Sequence, residues 1–392
     1  MRWLGDNPFH SLLLLTERPG QWAAWQIAPF PVVLAACAGL IWANSAEEAV
    51  SGLAVALGLL AFSLADWSLL AALPRWGASF GAVQPPFLGI TVLRWLLSVI
   101  TAPLAASWAI PTLIALLVVQ TAAWAAMVYG TLVEPFRLQV TELGISSPKL
   151  ANPDWPLRVV QLSDLHVERL TRRDHALPAL VADLAPDLIV LTGDFLNTSY
   201  NSDSRALADL RALLGQLRAP GGVYAIWGTV EVDLPHLLRP VLQDLGIVVL
   251  EDQAVELNVR GHHVWLMGVS CTRDLVADGA RLRSLMDDAP RGAFTALLYH
   301  VPDLMPQASS LGVDLFLAGH THGGQWRVPG FGAILTSSRY WKRYEAGHYR
   351  EAGTHLYVSR GLGMEGFGTL RARFFCPPEV LALVLSDMGE QQ

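Results

Sequence analysis

Charge-free stretches dominate the first third of this chain: residues 19–46, 49–65, 76–93 and 95–133 contain no Asp, Glu, Lys or Arg. An α-helix needs about 20 apolar residues to cross the hydrocarbon core of a bilayer. The pattern predicts four membrane spans, roughly 24–43, 50–73, 87–106 and 110–132. The last charge-free run, 39 residues, is too long for one crossing. Pro103 and Pro111 supply the break that makes it a helical hairpin. Trp22, Trp25, Trp42, Trp76, Trp108 and Trp124 fall mostly near the proposed span ends, where indoles favour the interface. A secretory signal peptide does not fit, because Asp6, Pro8 and Glu17–Arg18 interrupt the start and further apolar runs come after it. Trp3–Leu15 has the pattern of a short interfacial helix.

With four spans, Arg2, Arg18, Arg75, Arg137 and Lys149 share one side, whereas the opposite loops carry Glu47 and Glu48 or no charge. The positive-inside rule then puts both termini and the polar remainder in the cytoplasm. The expected location is the inner (plasma) membrane, multi-pass. Asp66 and Arg94 stand near the same membrane face, and pairing or snorkelling accounts for them more simply than a transport path.

Charge separates this region from the rest. Nine of the 61 charged residues lie in 1–133 and 52 in 134–392, so the 16% average mixes two compositions. The net charge of −7 divides as −1 and −6, which gives no basic face for nucleic acid. Cys37, Cys271 and Cys376 have no paired spacing, so no disulfide framework is expected.

Residues 134–156 read as an irregular linker, marked by Ser146–Ser147–Pro148 and Asn152–Pro153. The domains expected are thus 1–133, transmembrane and helical, and 157–392, α/β. Short apolar runs at Leu157–Leu162, Leu188–Thr192, Val223–Trp227, Thr295–Tyr299 and Leu315–Ala318 alternate with helical patterns at Ala176–Leu184, Ser204–Leu217 and Leu234–Leu245. Gly323–Gly332, His355–Ser359 and Val380–Leu385 form a late β-rich part. Stacked α/β layers are the architecture such an alternation predicts.

The chemistry lies in the residues just beyond each strand. Ser163-Asp164-Leu165-His166, Gly193-Asp194, Gly228-Thr229-Val230-Glu231, His300, and Gly319-His320-Thr321-His322 stand in that order at strand ends. Carboxyl ends of strands converge on one sheet edge, where ligands bind. Two aspartates and four histidines delivered there suit Mn, Fe, Zn or Mg ions. Two ions about 3.5–4 Å apart need a bridging carboxylate, the place of Asp194, and can clamp a phosphate while activating a water. The Asp-x-His and His-x-His spacings put both side chains of each pair on one strand face.

This ordered set resembles the calcineurin-like metallophosphoesterases over about residues 156–386. The tail Tyr357-Val-Ser-Arg-Gly-Leu-Gly363 and Cys376-Pro-Pro-Glu379 looks like the bacterial membrane-associated branch, which includes proteins similar to UDP-2,3-diacylglucosamine pyrophosphatases. The resemblance implies a four-layer αββα sandwich and two divalent metal ions. Asp164, His166, Asp194 and His322 would hold one; Asp194, His300, His320 and a residue of the third motif, here Thr229, the other. The family's third motif is Gly-Asn-His-Asp/Glu, and Gly228-Thr229-Val230-Glu231 departs from it. The Thr229 hydroxyl is a poorer ligand than an amide carbonyl, Val230 cannot donate a proton, and Glu231 keeps the acidic end.

The expected activity is hydrolysis of a phosphodiester or pyrophosphate bond by a metal-activated water, with Asp194, His300 and Glu231 as catalytic residues. The expected partners are membrane lipids and a phosphorylated lipid or lipid-linked nucleotide substrate. The alternative is a metal-binding sensor or scaffold with weak catalysis. Asn197, Arg339 and Arg360 are further candidates for contact with a substrate anion.

Overall fold

The computed structural model describes residues 18–150, 155–366 and 368–387. Trp3–Leu15 and Asn152–Pro153 lie outside the described residues. The chain forms two compact units: one runs to Val133 and includes Gly366–Arg371, and the other comprises Glu134–Glu365 with the chain from Ala372.

After a short helix at Ala24–Ile27, the first unit contains α1 (Pro29–Ala46), α2 (Ala49–Ala72) and α3 (Gln84–Leu132). Among the described residues, three helices, Ala24–Ala46, Ala49–Ala72 and Gln84–Phe136, are long and apolar enough to cross a membrane. Helix α3 is not straight. Backbone angles at Trp108 (φ −142°, ψ 48°) leave the helical region, three residues before Pro111, while Pro103 stays within the helix. Arg94 and Gln120 would stand about 39 Å apart in a continuous helix. Instead Arg94 Nη1 donates to Gln120 Oε1 at 2.7 Å, so the two arms fold back side by side.

Helices α1 and α2 approach closely at Gly39 and Gly52, where a Cβ on Gly52 would meet the Gly39 carbonyl oxygen at 2.3 Å. Small residues permit this contact between apolar helices. Asp66 and Arg94 pair rather than snorkel. Arg94 Nε and Nη2 donate to the two Asp66 carboxylate oxygens at 2.6 and 2.9 Å, and both residues are buried.

The second unit is an α/β sandwich of two six-stranded mixed sheets. Its strands are β1 (Gln139–Ser146), β2 (Leu157–Leu162), β3 (Leu188–Leu191), β4 (Val223–Ala225), β5 (Val248–Val249), β6 (Gln253–Val259), β7 (His262–Gly268), β8 (Phe294–Leu298), β9 (Leu315–Ala318), β10 (Arg327–Val328), β11 (Gly332–Ala333), β12 (Gly347–Glu351), β13 (Thr354–Val358) and β14 (Glu379–Ser386). One sheet runs β1-β14-β2-β3-β4-β5 and the other β12-β13-β9-β8-β7-β6, with β10 and β11 a separate hairpin.

Strand alternation builds three apolar layers. Leu157, Val159, Leu188 and Val190 face Phe294, Ala296, Leu315 and Leu317 between the sheets. Val160, Leu162, Ile189 and Leu191 face outward onto α4 (Arg172–Asp183), α5 (Ser204–Leu214) and α6 (Pro235–Asp244). Leu297, Phe316 and Ala318 face α7 (Leu275–Asp287) and α8 (Met305–Ser310). Both faces of these strands are largely buried, which is why they read as apolar runs, interrupted in β2 by exposed Arg158 and buried Gln161.

Two expectations need correction. The segment 134–156 is not wholly irregular: Glu134–Phe136 is a 3₁₀ turn, and β1 pairs in parallel with β14 along its full length. Its hydrogen-bonding partner is more than 230 residues away, so local composition gave no sign of it. In addition, Gly366–Arg371 groups with the helical unit rather than with the α/β part.

Candidate metal centre

Parallel strands β2, β3 and β4 of one sheet, and β8 and β9 of the other, end on the loops that carry the candidate donors. Those loops bring the side chains together. Donor atoms of Asp164, His166, Asp194 and His322 all lie within 4.8 Å of one another, and so do those of Asp194, His300 and His320. Asp194 belongs to both groups.

Convergence does not come from strand pleating. Strand β2 ends at Leu162, before Asp164. Asp164 (φ 49°), His166 (φ 42°), Asp194 (φ 55°), His320 (φ 68°) and His322 (φ 52°) all adopt the left-handed region, with His300 the one exception among the six donors. Such conformations cost about 1–3 kcal/mol each for residues other than glycine. Five strained residues in three loops, two loops from one sheet and one from the other, aim the donors inward. Close loop packing requires glycine: a Cβ at Gly193 would meet the Gly228 backbone at 2.4 Å, and one at Gly319 would meet Asp164 Oδ2 at 2.3 Å.

The donor geometry suits a cation. His166 Nε2 and His322 Nε2 face each other at 3.1 Å. Asp194 Oδ2 lies 3.5 Å from His166 Nε2, and Asp164 Oδ1 lies 3.5 Å from His322 Nε2. Two imidazole nitrogens and two carboxylates aimed at one place match the preferences of a divalent transition metal. In the second group His300 Nε2 is 3.2 Å from Asp194 Oδ2, and His300 Nδ1 stands 2.7 Å from the Thr192 carbonyl oxygen, which fixes the ring. The Thr229 hydroxyl lies 3.3 Å from Asp194 Oδ2 and 3.4 Å from His300 Nε2, at the edge of this group.

Electrostatics of the cluster alternate. Burial pushes Asp164 above the usual carboxylate range, against the pull of His300. Burial acts likewise on Asp194, but the charges of His300 and His166 outweigh it and hold this carboxyl well below its ordinary value. Burial and the charge of His300 lower His320 to about 3. Burial and the charge of His166 lower His322 well below its ordinary value. For His166 burial is outweighed by Glu365 and the two aspartates, which raise it to about 9. For His300, Asp194 outweighs burial and raises it to about 9. Binding of a metal ion at these ligands would have to displace the protons that the raised values favour on His166 and His300.

Three supporting residues were not legible in the sequence. Buried Asp233 accepts from the backbone N–H groups of Asp194 (2.9 Å), Phe195 (2.8 Å) and Gly228 (2.7 Å), tying the second and third loops together. Glu365 Oε2 lies 3.2 Å from His166 Nδ1 and orients that ring. The buried Arg373 guanidinium donates to the carbonyls of Arg360, Gly361, Gly363 and Cys376, fixing the loop beside Asp164 and His166.

Other expected residues fall elsewhere. Glu231 belongs to neither donor group, and its backbone carbonyl accepts from Asn201 Nδ2. The turn in which Asp233 N–H donates to the Thr229 carbonyl brings Asp233 inward in its place. Val230 is 64% exposed. Asn197 caps a 3₁₀ turn by accepting from Ser199 N–H and donates to the Met364 carbonyl. Arg360 is held by Glu379 at 2.9 Å, and Arg339 is exposed.

A family model described as calcineurin-like phosphoesterase matches residues 157–324, a span that contains every donor in both groups. The uncharacterized metallophosphoesterase YkuE of Bacillus subtilis (strain 168) is 30% identical over 270 residues, covering 66% of this chain and 89% of the relative. This chain belongs to the calcineurin-like metallophosphoesterase family. It is accordingly a hydrolase of a family that works with divalent metals. Phosphodiesterase YaeI of Escherichia coli (strain K12) is 32% identical over 238 residues, covering 59% of this chain and 82% of that one. The UDP-2,3-diacylglucosamine pyrophosphatase LpxG of Chlamydia muridarum is 26% identical over 308 residues, covering 64% of this chain and 91% of that one.

Proposed function

We propose that this metallophosphoesterase holds two divalent ions and hydrolyses a phosphodiester or pyrophosphate bond in a lipid or lipid-linked substrate at the cytoplasmic face of the inner membrane. The observation that carries the reading is the sharing of Asp194 between two donor groups. Asp164, His166 and His322 complete the first group, and His300 and His320 the second. Two bound ions would polarise a phosphoryl oxygen, acidify a water and offset charge on the leaving oxygen.

The chain's own residues then limit the substrate. Asp233 holds the Asp194 and Gly228 backbones in register, and Thr229 offers a hydroxyl to the second group. Val230 has no proton to give a leaving group, and loss of a general acid typically costs about 10²–10⁴ in rate. Leaving groups of low basicity, such as a nucleotide phosphate released from a pyrophosphate, suffer least from that loss.

The lipid part of the proposal is supported by the helical unit, whose outward side chains Leu40, Leu64, Leu93 and Ile100 are exposed. Four crossings, with the arms of α3 counted separately, put Arg18, Arg75, Arg137 and Lys149 on one side and Glu47 and Glu48 on the other.

The test is turnover by the purified full chain with Mn²⁺ on a nucleotide-linked diacyl sugar pyrophosphate and on a water-soluble phosphodiester. Hydrolysis that Asp194→Asn abolishes is expected. A second reading, a metal-binding sensor with weak catalysis, draws on Thr229 and Val230. It gains if wild type binds metal, hydrolyses neither substrate, and recovers turnover in Thr229→Asn with Val230→His.

A further inference from the structure

The hairpin of β10 and β11 and the turn after it form the largest concentration of exposed apolar side chains in the α/β unit. Eleven large apolar residues are exposed among the described residues of that unit. Six of them are Val328, Phe331, Ile334, Leu335, Trp341 and Phe375. Val328, Phe331 and Phe375 line one open groove of about 440 Å³. The base of the hairpin is held firmly. Trp326 stacks on Phe374 with ring centroids 5.7 Å apart, and Arg327 N–H donates to the Phe374 carbonyl at 2.9 Å.

Cations outnumber acidic groups at this surface, although Glu345 lines the groove. Residues 326–343 include Arg327, Arg339, Lys342 and Arg343 and no acidic residue, in a chain of net charge −7. Glu345 pairs with Arg327 and Glu351 with Arg343. The Lys342 ammonium lies 3.3 Å from the centre of the exposed Phe331 ring. Exposed aromatics and aliphatics interleaved with cations form the pattern that settles at the headgroup level of an anionic bilayer. A second copy of this chain would set the excess cations Arg339 and Lys342 against each other, which disfavours self-association through this face.

The hairpin also touches the metal centre. Arg327 Nη1 donates to the Gly323 carbonyl at 3.0 Å, next to His322, and Ser337 Oγ donates to the His320 carbonyl at 2.9 Å. We propose that residues 326–343, with Phe375, dock on an anionic lipid surface and so hold the mouth of the metal centre at the headgroup plane. This rests on the reading of a membrane-held enzyme, but not on the identity of its substrate.

The test uses the full chain reconstituted in phosphatidylglycerol-containing vesicles. An environment-sensitive fluorophore is placed through Leu335→Cys, and in a parallel sample through Val276→Cys, a control side chain that is 83% exposed. Both carry Cys37→Ala, and Cys271 and Cys376 are buried away from the label. Nitroxide-bearing lipids are expected to quench the Leu335 label strongly and the Val276 label weakly. Arg339→Glu with Lys342→Glu should reduce the Leu335 quenching, since each cation at an anionic surface is worth roughly five-fold in binding. Equal quenching at the two positions overturns the proposal, as does a Leu335 signal that arises only between labelled copies. Strong Leu335 quenching in a protein with no phosphoesterase activity would remove the proposed function and leave the docking surface standing.

Discussion

Asp233→Ala is the substitution whose effect is tied most directly to the geometry. The carboxylate is 1% exposed and accepts three backbone N–H groups, from Asp194, Phe195 and Gly228. Truncation leaves those buried donors unpaired at about 1–3 kcal/mol each. Burial and the negative charge of Asp194 raise Asp233 to about 7 in the metal-free protein, so removing it also relieves an unfavourable charge and offsets part of the loss. A local destabilisation of about 3–5 kcal/mol is expected, which places it among the large single-residue effects. Hydrogen exchange by mass spectrometry, on peptides spanning residues 189–197 and 223–233, reads this as loss of protection by about 10²–10⁴. Affinity for Mn²⁺ should fall in parallel, because both loops that face Asp194 are released. Asp233→Asn, which keeps one acceptor oxygen, should lose roughly half as much free energy. Unchanged protection and unchanged metal binding in Asp233→Ala would refute the idea that this carboxylate organises the centre.

Other expected outcomes concern pH, orientation of a ligand ring and the helical unit. In chelator, stability of the α/β unit should decline as pH rises from about 6.5 to about 9. His166 and His300 are raised to about 9, so the stability their protons supply is complete below their unfolded value and lost through that window. Mn²⁺ affinity, measured by titration calorimetry, should rise over the same interval as the two protons leave. Glu365→Gln should weaken metal binding about 10–100-fold in the same titration, as loss of an outer partner to a ligating histidine typically does. Arg94→Leu leaves Asp66 buried without its partner and should cost about 3–5 kcal/mol in thermal unfolding of the detergent-solubilised chain. Asp66→Leu together with Arg94→Leu should recover most of that loss.

Much of the α/β unit was legible because its strands are buried on both faces. Leu157–Leu162 and Leu315–Ala318 stand out as apolar runs that stop abruptly, and the donors come within four residues of their ends. Elements that depend on distant partners were hidden. Strand β1 is half-buried and owes its existence to β14. The β6–β7 hairpin, turning at Arg260–Gly261, and helix α7 went unread because polar residues interrupt their apolar patterns. The donors are legible as an ordered set at successive strand ends, although each Asp or His alone reads as a turn or core residue. Asp233 and Glu365 were missed because their significance lies in the backbone amides and ring nitrogen they meet, and neither spacing nor composition encodes those contacts. In the helical unit, Pro111 marked the reversal of α3 correctly, whereas Pro103 did not interrupt the helix.

Metal stoichiometry tests the central claim most directly. Elemental analysis of the purified full chain after equilibration with Mn²⁺ should give two ions per chain in the wild type. Asp194→Asn, which removes the one carboxylate common to both donor groups, should give at most one, with hydrolysis lost. Two ions retained in Asp194→Asn with hydrolysis intact, or no bound metal in an active wild type, would contradict the account.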